Sequence, residues 1–173
     1  HHANTQFKII PMATAGNNLS EYNPKDLPNG AHFTVGIAVS EWNDKYTNGM
    51  LQGAKEVLLA CGVASESIKV IYVPGTYELP LASQMLLGST DGVIAIGSVI
   101  RGETAHFEYV CEAAASGIKD VNLKTGKPVA FCVLTDNNAE QAEARSGGKL
   151  GNKGIEAAVV ILKMLALRSE LSM

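Results

Sequence analysis

The chain predicts a three-layer α/β/α sandwich around a central four-stranded parallel sheet. Two observations carry this. Short, continuously apolar runs alternate with stretches of helical periodicity from residue 33 onward, the pattern of parallel strands buried on both faces. The polar, chemically versatile segments also fall just after those apolar runs. Right-handed crossovers bring all strand C-termini to one edge, where open α/β sheets bind ligands.

Residues 1–30 read as an arm rather than a domain. Gly16 to Ser20 and Asn23 to Gly30 are turn formers without helical period. Phe7 to Pro11 is the one candidate strand, suited to extending the sheet of a neighbouring subunit. His1 and His2 read as the remnant of an expression tag. Residues 31–173 form the single folded domain.

The first strand spans Phe33 to Val39. Tyr46, Met50, Ala54, Val57 and Cys61 recur at helical steps and Gly62 closes that helix. The second strand, Ile68 to Val73, is broken by Pro74-Gly75, and Glu78 to Leu87 suits a helix ending at Gly88. Val93 to Val99 makes the third strand, and a helix follows from 105 to about 124. Lys127-Pro128 introduces the fourth strand, Val129 to Leu134. A short helix near 138–145 precedes one from about Ile155, with Val159, Leu162 and Ala166 on one face. A sandwich of this kind is of the flavodoxin-like class.

Bulk properties narrow the function. The chain has 173 residues, 46% hydrophobic and 18% charged, with a formal net charge of -3. That balance suits a globular domain and lacks the basic excess of nucleic-acid binding proteins. No apolar run reaches the roughly 18 to 20 residues of a membrane helix, and no signal-like h-region opens the chain. Cys61, Cys111 and Cys132 are odd in number and widely spaced, the usage expected of reduced thiols in a cytoplasmic protein.

Trp42, the single tryptophan, follows strand one in Ser40-Glu41-Trp42-Asn43. It suits either an apolar edge or subunit contact, or a flat surface for a planar heterocycle. Asn43 reads as a helix N-cap. In Pro74-Gly75-Thr76-Tyr77-Glu78-Leu79-Pro80, Glu78 complements a helix dipole or, beside a hydroxyl and a ring, binds a polyol. Gly97 to His106 runs from strand into a turn whose following helix start offers backbone N–H groups to an anion. His106 is either structural or a general acid/base near neutral pH. No second His or Cys stands at metal-ligand spacing. Arg145 and Lys153 flank a Gly-rich stretch that is neither G-x-G-x-x-G nor a P-loop. They either grip phosphate or are solvated loop charges.

Taken together, these segments resemble the lumazine synthase family over about Phe33 to Leu167. The likeness rests on Ser40 to Asn43, Pro74 to Pro80, Gly97 to Phe107, Pro128 to Phe131 with Val133 to Thr135, and Glu140 to Arg145 with Gly151 to Gly154. It implies condensation of 5-amino-6-(D-ribitylamino)uracil with 3,4-dihydroxy-2-butanone 4-phosphate, without metal or organic cofactor. The products are 6,7-dimethyl-8-ribityllumazine, phosphate and water, the penultimate step of riboflavin biosynthesis.

By the same resemblance, Trp42 stacks on the pyrimidine, and Thr76, Tyr77 and Glu78 hold the ribityl chain. Ser98, Val99 and Ile100 read the uracil edge, with Phe131 near the ring. Glu103 and Thr104 match the phosphate turn, Arg145 and Lys153 its cationic partners, and His106 the proton-transfer residue. Glu103, itself an acid, would act there through backbone N–H. The family also implies homopentamers with sites between neighbours, in some members icosahedral sixty-subunit shells, and riboflavin synthase as a partner. The chain departs from the family at Asp136-Asn137-Asn138, where many relatives carry Thr-Asp-Thr, and at Ser146, a frequent alanine. A flavin- or nucleotide-binding module, or an assembly protein without activity, would explain subsets of these residues.

Overall fold

In the computed structural model, which describes residues 18–171, four parallel strands stack in the order β2-β1-β3-β4. They are β1 (Val35–Ser40), β2 (Ile68–Val73), β3 (Gly92–Ile100) and β4 (Val129–Asp136). The candidate strand at Phe7 to Pro11 lies outside the described residues. In β1 and β3 the apolar run is continuous because both faces are covered: all six β1 residues are buried, as are Gly92 to Ser98.

Helices α1 (Asp44–Ala60) and α5 (Lys153–Glu170) cover one face, joined by short α4 (Ala139–Arg145). Their core holds Ile37, Val39, Ile94, Ile96, Cys132 and Leu134 against Met50, Leu58, Ala142, Ile161 and Leu162. Helices α2 (Leu79–Leu86) and α3 (His106–Thr125) cover the other, where Ala38, Val93, Ala95 and Val133 meet Leu79, Ala82, Ile118 and Val121. The period of two along each strand divides its residues between these cores.

The Gly-rich stretch after α4 holds a small antiparallel hairpin, β5 (Ser146–Gly148) and β6 (Gly151–Asn152), which helical periodicity could not reveal. Asn152 caps α5: its side-chain oxygen accepts from Gly154 and Ile155 N–H at 2.8 and 3.4 Å. Its amide donates to the Gly49 carbonyl in α1 at 2.9 Å. Residues 18–30 lie against this layer. Gly30 N–H donates to the Cys61 carbonyl at 2.7 Å, and Tyr22 and Leu27 pack on its core.

Candidate active site

Strand order dictates where a site can form. The chain leaves β1 toward β2 on one side, while β3 pairs with β1 on the other. Connections therefore diverge at the C-terminal ends of β1 and β3 and leave a crevice there. The structure brings the β1, β2 and β3 ends together at that edge.

Asn43 spans the crevice and does not do what its position suggests. It makes no side-chain cap bond to α1. It sits instead in the left-handed region (φ 60°, ψ 41°), the one non-glycine residue there among those described. Asparagine tolerates that region better than most residues. The conformation lets the side-chain amide donate to the Ser98 carbonyl at 2.8 Å, tying the β1 end to the β3 end. A non-glycine residue held there costs about 1 to 3 kcal/mol and persists only when its surroundings demand it.

Trp42, held beside this bridge, is 67% exposed. Its backbone N–H donates to the Pro74 carbonyl at 3.1 Å, and its ring lies against Gly75. A Cβ on Gly75 would come within 2.6 Å of the indole, so only glycine lets the ring settle there. The next three residues form a single 3₁₀ turn, Thr76–Glu78. Thr76 is buried with its hydroxyl against Gly97, where a Cβ would lie 2.5 Å away. Tyr77 is exposed, and one Glu78 oxygen accepts from the Gly75 N–H at 3.0 Å. Glu78 thus braces its own loop just before α2.

Ser98, Val99 and Ile100 are the last residues of β3, paired with Leu134, Thr135 and Asp136. The strand runs one residue beyond the sequence expectation, because this pairing with β4 persists to Ile100. The Ser98 hydroxyl is buried without a hydrogen-bond partner. Glu103 and Thr104 lie in the exposed turn that follows. The Thr104 hydroxyl accepts from the His106 N–H at 3.4 Å, and His106, also exposed, is the first residue of α3.

The remaining residues lie elsewhere on the chain. Phe131 is half-exposed in the middle of β4, opposite Ala95. Arg145 ends α4, where its guanidinium donates to the Gln141 carbonyl at 3.1 Å, and Lys153 opens α5. Both line a cavity of about 650 Å³ with Asp136, Gln141, Lys149 and Glu156. Neither Trp42, Thr76, Tyr77, Glu78, Glu103, Thr104 nor His106 lines it.

The departures at 136–138 have separate tasks. Asn138 caps α4 by accepting from the Gln141 N–H at 2.9 Å, and Asn137 accepts from Arg101 Nε at 2.9 Å. Asp136 is 6% exposed, and its Oδ2 has no hydrogen-bond partner. Burial raises its pKa, against the pull of Arg145 and Lys153. Little in the sequence singles out the contacts that Asn43, Arg101 and Asp136 make here. The tolerance of asparagine for the left-handed region was the one available signal; the others depend on contacts between distant segments.

Comparison with known proteins shows what the whole chain is similar to. A family model described as 6,7-dimethyl-8-ribityllumazine synthase matches residues 32–169. Relatives of that name include the three that follow. The chain is 50% identical over 162 residues to the one from Christiangramia forsetii, covering 92% of this chain and 96% of the relative. It is 50% identical over 163 residues to that from Flavobacterium johnsoniae, with 93% and 86% covered. For Porphyromonas gingivalis the identity is 49% over 158 residues, with 90% and 98% covered.

Proposed function

The chain belongs to the 6,7-dimethyl-8-ribityllumazine synthase family, and from that premise we propose how its residues divide the reaction. The enzyme is a transferase of riboflavin biosynthesis. It condenses 5-amino-6-(D-ribitylamino)uracil with 3,4-dihydroxy-2-butanone 4-phosphate to the lumazine, phosphate and water. Both substrates already carry their reactive groups, an amine and a ketone, so orientation is the protein's main contribution.

Trp42 stacks on the pyrimidine, Ser98 to Ile100 and Phe131 meet its edge and face, and Thr76, Tyr77 and Glu78 hold the ribityl chain. Glu103 and Thr104 receive the phosphate through the turn's backbone, with Arg145 and Lys153 as the cations that stabilise its departure. His106 moves the protons that imine formation and phosphate loss require. What supports this reading is the meeting of the Trp42 indole, the Glu78 loop and the Ser98 backbone at the β1/β3 divergence, with His106 six residues past the end of β3.

The cations line a different cavity, so the reading joins two copies of the chain: one supplies the edge with His106, its neighbour supplies Phe131, Arg145 and Lys153. Exposed Tyr72 on edge strand β2 and Phe131 on edge strand β4, with Leu81, Met85 and Tyr109, support such contacts. The assembly is then a cytoplasmic homopentamer, either alone or in a sixty-subunit shell able to meet riboflavin synthase. Light scattering on the eluted protein tells the two apart.

The test of the chemistry mixes both substrates with purified protein and follows lumazine absorbance. A rate no greater than the spontaneous one overturns it. His106→Ala is expected to lower kcat, and Arg145→Ala to raise KM for the butanone phosphate; a variant unchanged in both constants removes that residue from its role.

A further inference from the structure

We propose that Arg101, which no substrate-binding or proton-transfer role claims, is the positioning residue that holds His106 in place. The inference rests on the proton-transfer reading of His106 given above.

The turn from Gly102 to Ala105 has little of its own to hold it. All four residues are exposed, and a Cβ on Gly102 would meet nothing within 4 Å. Among the described residues, the hydrogen bonds of 102–105 stay within the turn and the first residues of α3: His106 N–H to Thr104, and Glu108 and Tyr109 N–H to Ala105. His106 follows directly. A side chain on such a segment would wander, and small misplacements of a reacting group are costly.

Arg101 closes the segment at its base. Its backbone N–H donates to the Asp136 carbonyl at 2.9 Å, continuing the β3–β4 ladder one residue beyond the strand. Its side chain then reaches three groups. Nε donates to Asn137 Oδ1 at 2.9 Å, a terminal nitrogen donates to the Glu108 carboxylate, and Cζ lies 4.4 Å from the centroid of the Phe107 ring.

Phe107 and Glu108 are the two residues after His106, and the Phe107 ring is buried. One planar fork thus fastens the first turn of α3 to the strand end behind it and to the β4–α4 connection beside it. Arginine suits the task because its donors are rigidly arranged and its face stacks on a ring, whereas a lysine offers one rotatable point charge. The hydrogen bond from Arg101 also holds the Glu108 carboxyl below its ordinary pKa. The ionised acid complements the helix N-terminus and offsets the cation.

The test is a double-mutant cycle on the purified assembly, with kcat and both KM values measured for Arg101→Gln, Arg101→Lys, His106→Ala and the Arg101→Gln/His106→Ala pair. Arg101→Gln is expected to lower kcat about tenfold with KM for the aminouracil unchanged, and Arg101→Lys to recover only part of that loss. In the His106→Ala background the same substitution should cost less than about twofold, because a misplaced histidine and a missing one are the same defect.

A full tenfold loss in that background, or an unchanged kcat in Arg101→Gln, overturns the proposal. A His106→Ala enzyme with wild-type kcat overturns its premise instead, and the two failures are distinct. Should Arg101→Gln not assemble, Glu108→Gln cuts the same clasp from the other side and must show the same non-additivity.

Discussion

Gly75 and Asn43 matter to the site for what they let their neighbours do. Gly75 yields the space on which the Trp42 ring lies, and its replacement by alanine must push the indole aside. Because Trp42 is largely exposed, the fold loses little. The expected outcome for Gly75→Ala is a KM for the aminouracil raised about tenfold, near 1.4 kcal/mol, with an unchanged KM for the butanone phosphate; steady-state kinetics with each substrate varied in turn decide it. Asp136 works the other way. A carboxyl whose pKa is raised on folding contributes stability that is whole below its unfolded value of 3.8 and lost as pH rises through the folded value. At neutral pH it is a charge held out of water, offset in part by Arg145 and Lys153. Asp136→Asn should therefore melt at a higher temperature than wild type at pH 7, and the gain should shrink toward zero as pH falls below 3.8. A gain that persists in acid would mean that burial of the charge is not its source. Neither role was legible in the sequence. Gly75 reads there as a strand breaker and Asp136 as a departure from the family pattern; the indole and the cations that define their tasks come from other segments.

Elements were far more legible than contacts. Ile68 to Val73 forms β2 with the expected bounds, because Pro74-Gly75 ends an apolar run that nothing else interrupts. Helix α1 follows the spacing of Tyr46, Met50, Ala54 and Val57, all buried. What escaped has local patterns too short to show a period, as in the hairpin 146–152, or side chains that bond across the fold. Asn43 and Asn152 make the point together. Both precede a helix, yet Asn152 caps α5 while Asn43 spends its amide on Ser98. The Asn152 side chain does double duty, capping α5 and holding the Gly49 carbonyl of α1. Asn152→Ala removes both functions at once. A lost cap costs about 0.5 to 2 kcal/mol, and the Gly49 carbonyl loses a donor besides, about 1 kcal/mol more. Urea titration of the variant should show a lower midpoint with an unchanged slope. An unchanged midpoint would show that neither contact stabilises the α1/α5 layer.

At the scale of the molecule, the residues proposed for the reaction fall in two separate regions of the chain. The edge with Trp42, Glu78 and His106 belongs to the β1, β2 and β3 ends, whereas Arg145 and Lys153 line the cavity beside β4. A site completed by a neighbour predicts complementation between inactive parents. In a random mixture of equal amounts of His106→Ala and Arg145→Ala subunits, a site is whole when its edge comes from an Arg145→Ala subunit and its cations from a His106→Ala subunit. Each choice has even odds, so about a quarter of the sites in a closed ring recover both groups. Subunits unfolded together and refolded as a mixture should regain roughly that fraction of wild-type activity, while the same parents refolded apart and then combined should stay at their own low rates. The converse is equally sharp. If one chain closes over its own substrates, every site in the mixture carries one of the two lesions and no recovery follows. The Arg145→Ala/His106→Ala double variant, mixed with wild type, fixes the remaining ambiguity. Sites shared between neighbours keep activity as the square of the wild-type fraction, and sites confined to one chain keep it in direct proportion.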